Sequence, residues 1–231
     1  MALPLYLALT PAEMAGNPDL PDCLAYMACH FSPGGTGLSN CPSSLPENAL
    51  LILDDSTPMA GHDLRQIRDE LLRLVETNRC AGLLLDFQRP EIPGQRELSE
   101  LLCAGLPCPV ALSDLYAKDL SCPVFLPPVP PDKPLSDHLK PWQGREIWLE
   151  AALDGIALTL TEEGCTAAPL FDFPENGQAH RKQHCHYTVE TTDQSALFHL
   201  WRTRKDLDNL LAEAERLGIT KAVGLWQELW D

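Results

Sequence analysis

Eight short apolar segments, each ending in polar or turn residues, recur along the whole sequence and constrain its fold most strongly. Segments such as LLILDD and GLLLDF are apolar without alternation, which is typical of strands that are buried on both faces of a parallel sheet. The predicted strands are residues 3–9, 24–30, 49–54, 81–88, 110–113, 124–126, 146–151 and 222–228.

Amphipathic stretches between these segments predict helical crossovers. Residues 61–80 carry Leu64, Ile67 and Leu71 at helical spacing, with charges on the opposite face. A second helix is predicted from a cap at Thr203 to a stop at Gly218, and it leads into the last strand. Eight strands with such crossovers predict an α/β fold, the (β/α)8 TIM barrel. Several other crossovers are short, so we expect a trimmed or irregular barrel.

Residues 152–200 depart from this pattern. They contain alternating segments, GIALTLTEEG and HCHYTVETT, separated by turn-rich sequence. We predict a small antiparallel β insertion before the last helix and strand. The 231 residues suit one α/β barrel, so residues 1–231 are expected to form a single domain that contains the 152–200 insertion.

Charge and cysteine usage narrow the classes of partner and compartment. Lys plus Arg number 17 against 33 Asp plus Glu, and the net charge of −16 argues against nucleic acid and anionic membrane surfaces as partners. Nine scattered cysteines without a CxxC pair, and the lack of a basic leader or a long apolar span, predict a soluble cytoplasmic protein. No motif predicts a cofactor, and the oligomeric state stays open.

Residues 80–90, CAGLLLDFQRP, resemble the fourth-strand motif of glycoside hydrolase family 18, the chitinase-type TIM barrels, whose pattern is DGxDxDxE followed by an aromatic residue and proline. The matching positions are Gly82, Asp86, Phe87 and Pro90. The carboxyl-terminal TKAVGLWQELWD is similar to the family's eighth strand and places Trp226 where the family has a tryptophan on the barrel floor.

The departures from this motif bear on activity. Ala81 and Leu84 replace two aspartates, and Gln88 replaces the catalytic glutamic acid. The resemblance implies that this acid protonates the glycosidic oxygen while the aspartate at position 86 assists the substrate's acetamido group. An amide has no proton to donate near neutral pH. The sequence therefore predicts a chitinase-like pseudoenzyme without family 18 catalysis, which binds carbohydrate or glycan fragments at the carboxyl-terminal rim of the barrel.

Two sets of rim residues carry this hypothesis and its alternative. The candidate ligand-binding residues are Tyr26, Asp54, Asp86, Gln88 and Trp226. The alternative is an active glycosidase in which a relocated acid works with Asp86, and the candidates for that catalytic set are Asp86, Glu150 and Glu228.

Other motifs leave further interpretations open. Asp54 and Asp55 are adjacent in a strand, so only one of them can face the barrel centre. His184 and His186 lie on one side of a predicted strand, but no third metal ligand is apparent, and we predict no metal site. The proline-rich residues 127–134 predict a rigid surface loop, or, in a third functional alternative, a protein-interaction segment.

Overall fold

The computed structural model describes residues 2–59, 61–90 and 92–230. Its strands in chain order are β1 (Leu5–Leu9), β2 (Leu24–Phe31), β3 (Leu38–Ser39), β4 (Leu50–Asp54), β5 (Gly82–Asp86), β6 (Val110–Ser113), β7 (Val124–Leu126), β8 (Ile147–Ala151), β9 (Gly155–Thr161), β10 (Gly164–Pro169), β11 (Gln178–His180), β12 (Cys185–Thr191), β13 (Ser195–Trp201) and β14 (Lys221–Leu225).

Strands β1, β2, β4 to β8 and β14 pair in parallel and follow one another around a closed barrel. Closure is direct, because β1 pairs in parallel with both β2 and β14. The predicted eight-stranded barrel is thus confirmed, and the short β3 adds an antiparallel partner to β2 at the rim.

The helices surround this barrel unevenly. They are α1 (Pro11–Gly16), α2 (Leu64–Asn78), α3 (Gln95–Gly105), α4 (Asp114–Ala117), α5 (Leu135–Leu139), α6 (Arg204–Arg216) and α7 (Trp226–Leu229), with a 3-10 turn at Lys140–Trp142. Both predicted amphipathic helices form, and Thr203 caps α6 in a reciprocal capping box with Asp206. Helix α4 has four residues, which confirms the expected trimmed crossovers. No helix of the described ranges is long and apolar enough to cross a membrane.

Two predicted strands end earlier than expected. Strand β5 stops at Asp86, so Phe87 and Gln88 lie beyond it, and β14 stops at Leu225, where α7 begins. The Asp55 carboxylate explains the first difference. It accepts hydrogen bonds from the backbone N–H groups of Gln88 and Arg89, which a longer strand would have used for sheet pairing.

Small and large side chains share the barrel interior. Trp148 of β8 is fully buried and fills the end at which the strands begin. A Cβ atom added to Gly82 would lie only 2.7 Å from the Trp148 ring, so the glycine of β5 makes room for this tryptophan. The Lys221 ammonium group lies 4.4 Å from the centre of the same ring and covers it at the end of the barrel where the strands begin.

The predicted insertion is confirmed as a five-stranded antiparallel sheet in the order β10-β9-β13-β12-β11. All six residues of its edge strand β10 are exposed, and none of them is charged. Phe171, in the loop that follows, is 87% exposed. Leu200 and Trp201, at the end of β13, are buried, and the Trp201 ring lies 6.0 Å from the ring of His186 on β12.

The proline-rich segment packs against the end of this insertion. The buried Arg202 guanidinium donates to the carbonyl oxygens of Val129 and Pro130. The Gln183 amide donates to the Asp132 carbonyl over 2.7 Å. With its backbone acceptors engaged in this way, the segment forms a fixed loop on the barrel surface, as the first interpretation of residues 127–134 predicts.

Candidate functional site

A cavity of about 120 Å³ opens at the carboxyl end of the barrel, and three carboxylates line it. Asp54 ends β4, Asp86 ends β5 and Glu150 lies near the end of β8. Apolar residues form the rest of its wall, and they are Ala8, Met27, Ile52, Leu84, Phe125, Val223, Gly224 and Leu225. Among the described residues, no lysine, arginine or histidine lines this cavity.

Strand alternation turns these carboxylates inward. Ile52 and Leu84 belong to the cluster inside the barrel, so the residues two positions later, Asp54 and Asp86, point the same way. The register pairs Asp54 with Asp86 on neighbouring strands. Glu150 follows Trp148 on β8 by the same spacing.

Burial and the charges of neighbouring carboxylates raise the pKa values of Glu150 and Asp86. Burial, followed by the charges of Asp86, Asp154 and Glu228, raises the pKa of Glu150 to about 7. Burial also raises the pKa of Asp86, and the Asp54 and Asp55 carboxylates raise it further, against a hydrogen bond from Gln88. With a pKa of about 7, Glu150 is present in both its protonated and its ionised form at neutral pH, so its carboxyl group can both donate and accept hydrogen bonds.

Gln88 lies at the rim of this cavity, where it is exposed. Its amide Nε2 donates to Oδ1 of Asp86. Its position depends on Asp55, which is 4% exposed and also accepts from Gln95 Nε2 at 3.2 Å. Asp55 therefore holds the loop after β5, while Asp54 faces the cavity and accepts from the backbone N–H of Ser56 at 2.7 Å.

The structure places the remaining predicted residues away from the cavity. Tyr26 packs in the layer between the barrel and its helices, and its hydroxyl donates to the Asn40 carbonyl over 2.6 Å. Trp226 begins α7 and stacks on Trp230 with ring centres 4.2 Å apart. Tryptophan on the barrel floor is instead Trp148, on the seventh barrel strand.

Glu228 also lies outside the cavity lining. Its carboxylate accepts a hydrogen bond from the backbone N–H of Leu153, so of the two candidate acids Glu150 lines the cavity with Asp86 and Glu228 does not. Sequence reasoning missed Met27 and Phe125 in the wall. The alternation of inward-facing side chains along β2 and β7 could have identified them, but β7 has only three residues and shows this alternation weakly.

No group of three or more His, Cys, Asp or Glu side chains in the described ranges is arranged to hold a metal ion. The two histidines of the HCH motif contact carboxylates of α6 instead. His184 Nε2 lies 2.6 Å from Glu213 Oε2, and His186 Nδ1 lies 2.7 Å from Asp206 Oδ2.

Comparison with known proteins gives a fold but no close relative. No protein-family model matches the sequence, and no curated protein does either. The structure resembles a chitinase from Chromobacterium violaceum, with a TM-score of 0.57 and 9% identity over 96% of this chain and 93% of that chain. It also resembles the spore cortex-lytic enzyme SleL of Bacillus cereus, with a TM-score of 0.56 and 13% identity over 96% of this chain and 70% of that chain.

A third similar structure is a mutant family 18 chitinase from Cycas revoluta in complex with (GlcNAc)4, with a TM-score of 0.57 and 12% identity over 96% of this chain and 94% of that chain. The fold is that of the family 18 glycoside hydrolases. Within this family 18 fold, Asp86 and Gln88 stand at the end of the fourth barrel strand, and the antiparallel insertion follows the seventh.

Proposed function

We propose that this protein is a non-hydrolytic member of the family 18 fold that binds a carbohydrate end at the carboxyl rim of its barrel. The observation that supports the proposal is the hydrogen bond from the Gln88 amide to Asp86, since the motif of the resembled family has its acid at the position that corresponds to Gln88. An amide binds hydroxyl and carbonyl groups but supplies no proton to a leaving group.

The size and charge of the cavity indicate what it binds. Its volume of about 120 Å³ lies below the roughly 300 Å³ at which pockets for whole drug-sized ligands begin. One substituent of a sugar fits inside, while the ring rests on the rim. Three carboxyl groups, with no cation among the described lining residues, favour hydroxyl, amide N–H or ammonium donors over acidic sugars.

Calorimetric titration tests this proposal with (GlcNAc)4, its de-N-acetylated counterpart and peptidoglycan fragments as probes. We expect at least one probe to bind saturably, and Asp86→Asn to weaken that binding about tenfold through loss of a charged acceptor. Asp208→Asn, on the exposed face of α6, is the matched control and should bind like the parent. The absence of binding to every probe, or unchanged affinity in Asp86→Asn, would contradict the proposal.

Replacing Gln88 with glutamate tests the part of the proposal that says the protein does not hydrolyse glycosides. The parent should release no product from an aryl chito-oligosaccharide near neutral pH, whereas Gln88→Glu should give measurable turnover. Gln88→Ala is the control, since it removes the amide without supplying a proton. Turnover by the parent that survives in Gln88→Ala would show that hydrolysis does not depend on position 88.

A second candidate function, glycoside hydrolysis with Glu150 as acid, is favoured by the pKa of Glu150 near 7 and its place in the cavity with Asp86. In that case the parent cleaves an aryl glycoside, its rate falls as the pH rises above about 7, and Glu150→Gln abolishes cleavage while Glu228→Gln retains most of it. If both variants keep their activity, Glu150 is not the acid.

A further inference from the structure

A second and larger concavity lies between the insertion and α6, away from the barrel mouth. Its volume is about 520 Å³, which falls within the roughly 300 to 1,000 Å³ of small-molecule sites. None of its lining residues belongs to the carboxylate cavity. The charged and imidazole side chains of its lining are His180, Arg181, His184, His186, Lys205, Asp206 and Arg216, and we call this concavity the α6 cleft.

One stripe of α6 forms the floor of the α6 cleft. Lys205, Asn209, Ala212 and Arg216 follow one another at helical spacing and line it. The opposite face carries the buried Leu207 and Leu210, which fix the helix on the barrel. Because Ala212 is short, the centre of the stripe stays open between two cations.

The charge of the α6 cleft is opposite to that of the chain as a whole. Arg181, Lys205 and Arg216 line it in a protein of net charge −16. Within the described ranges none of these three cations lies within ion-pair distance of a carboxylate, and Arg216 donates only to the Ala212 carbonyl. Cations without carboxylate partners in one cleft make the local potential positive, which favours the binding of an anion.

Asp206, which lines the α6 cleft, and Glu213, which lies beside it, already have hydrogen-bond partners. Asp206 accepts from His186 and from the backbone N–H and hydroxyl of Thr203, at 2.9 and 2.6 Å. Glu213 contacts His184, whose backbone adopts a left-handed conformation with φ of 48°. These contacts join the β11–β12 turn to α6 and hold the two walls of the cleft in place.

We propose that the α6 cleft binds a small, multiply charged oxyanion, carrying phosphate or carboxylate groups. The guanidinium groups of Arg181 and Arg216 offer paired N–H donors to such oxygens, and Lys205 adds a third positive charge between the two walls. Asn209 and His180 complete the ring of donors. This site is independent of the barrel mouth and stands whether or not carbohydrate binds there.

Isothermal titration of the full chain with inorganic pyrophosphate and with citrate, at constant ionic strength in a phosphate-free buffer, tests the site. We expect saturable binding of at least one probe. The double substitution Arg181→Gln with Arg216→Gln should weaken it about tenfold or more, because two charge-assisted contacts are lost. The matched control is Arg65→Gln with Arg73→Gln on α2, which changes the net charge equally and should bind like the parent.

The two probes separate the chemical sources of the anion. Binding of pyrophosphate alone assigns the site to phosphoryl groups. Binding of citrate alone assigns it to polycarboxylates. Either result supports the proposal. Lys205→Gln, an exposed single substitution, should reduce affinity as well and guards against misfolding of the double variant. Failure of both probes to bind saturably, or equal loss in the cleft and control variants, overturns it.

Discussion

The pKa values of Asp86 and Glu150 depend on different neighbours, although both residues line one cavity. Asp86 keeps a hydrogen bond from Gln88, which favours its ionised form, whereas Glu150 faces three other acidic groups. The pKa of Glu150 is therefore raised to about 7. Each residue's chemistry follows from its neighbours rather than from its type.

The raised pKa of Glu150 predicts a pH-dependent stability. The folded protein binds this proton more tightly than the unfolded chain, whose glutamate has a pKa of 4.5, so the contribution of Glu150 falls as the pH rises from about 4.5 to about 7. Glu150→Gln removes that loss. We expect it to stabilise the fold by about 1 to 3 kcal/mol at pH 8 relative to pH 4, as measured by urea unfolding. Equal effects of the substitution at both pH values would contradict the assignment.

Cys29 and Cys41 are close enough for their thiols to interact. The sulfur atoms of the buried Cys29 and the exposed Cys41 lie 3.6 Å apart. Oxidation by diamide should remove two protons and two electrons from the thiols and join them in a disulfide, raising the unfolding midpoint by about 5 °C. Peptide mapping without reductant identifies the link. Cys41→Ser should abolish the shift and Cys165→Ser should keep it, and a shift that survives in Cys41→Ser would exclude this pair.

At the scale of elements, Asp55 joins the end of β4 to the loop after β5. Its carboxylate is buried and accepts from Gln88, Arg89 and Gln95. Asp55→Ala leaves these donors without an acceptor, so we expect a loss of about 2 to 4 kcal/mol in unfolding free energy by chemical denaturation. Asp208→Ala, which removes an exposed helical ion pair, should cost less than about 0.5 kcal/mol. Similar costs for both would rule out this role.

The same element shows what sequence could and could not predict. Apolar segments and helical periodicity locate all eight barrel strands, both long helices and the insertion, because burial acts on residue type directly. The end of β5 could not be predicted, since it depends on Asp55, more than thirty residues away in the chain. For the site, Asp54, Asp86 and Glu150 follow from strand ends, whereas Tyr26 and Trp226 do not, because facing direction depends on the register and on the early end of β14.

At the scale of the whole molecule, the barrel interior depends on the complementarity of Gly82 and Trp148. An alanine at position 82 would bring its Cβ atom within 2.7 Å of the Trp148 ring and 3.1 Å of the Pro109 carbonyl. We expect Gly82→Ala to lower the unfolding free energy by about 1 to 3 kcal/mol, measured by thermal and urea unfolding. Gly16→Ala, which meets nothing within 4 Å, should stay within about 0.5 kcal/mol of the parent. If Gly82→Ala leaves the unfolding free energy unchanged, the Trp148 ring must be able to move.

The uncharged edge strand β10 has a consequence for how the protein behaves in concentrated solution. Its outer backbone donors and acceptors have no strand beside them in the described ranges, and no lysine or proline interrupts the strand before Pro169. Thr166→Lys should therefore reduce the sedimenting aggregate that forms as samples are concentrated, whereas Thr159→Lys on the inner strand β9 should not. The eight barrel strands pair with one another in a closed ring and β3 has only two residues, so we assign the tendency to precipitate to the insertion.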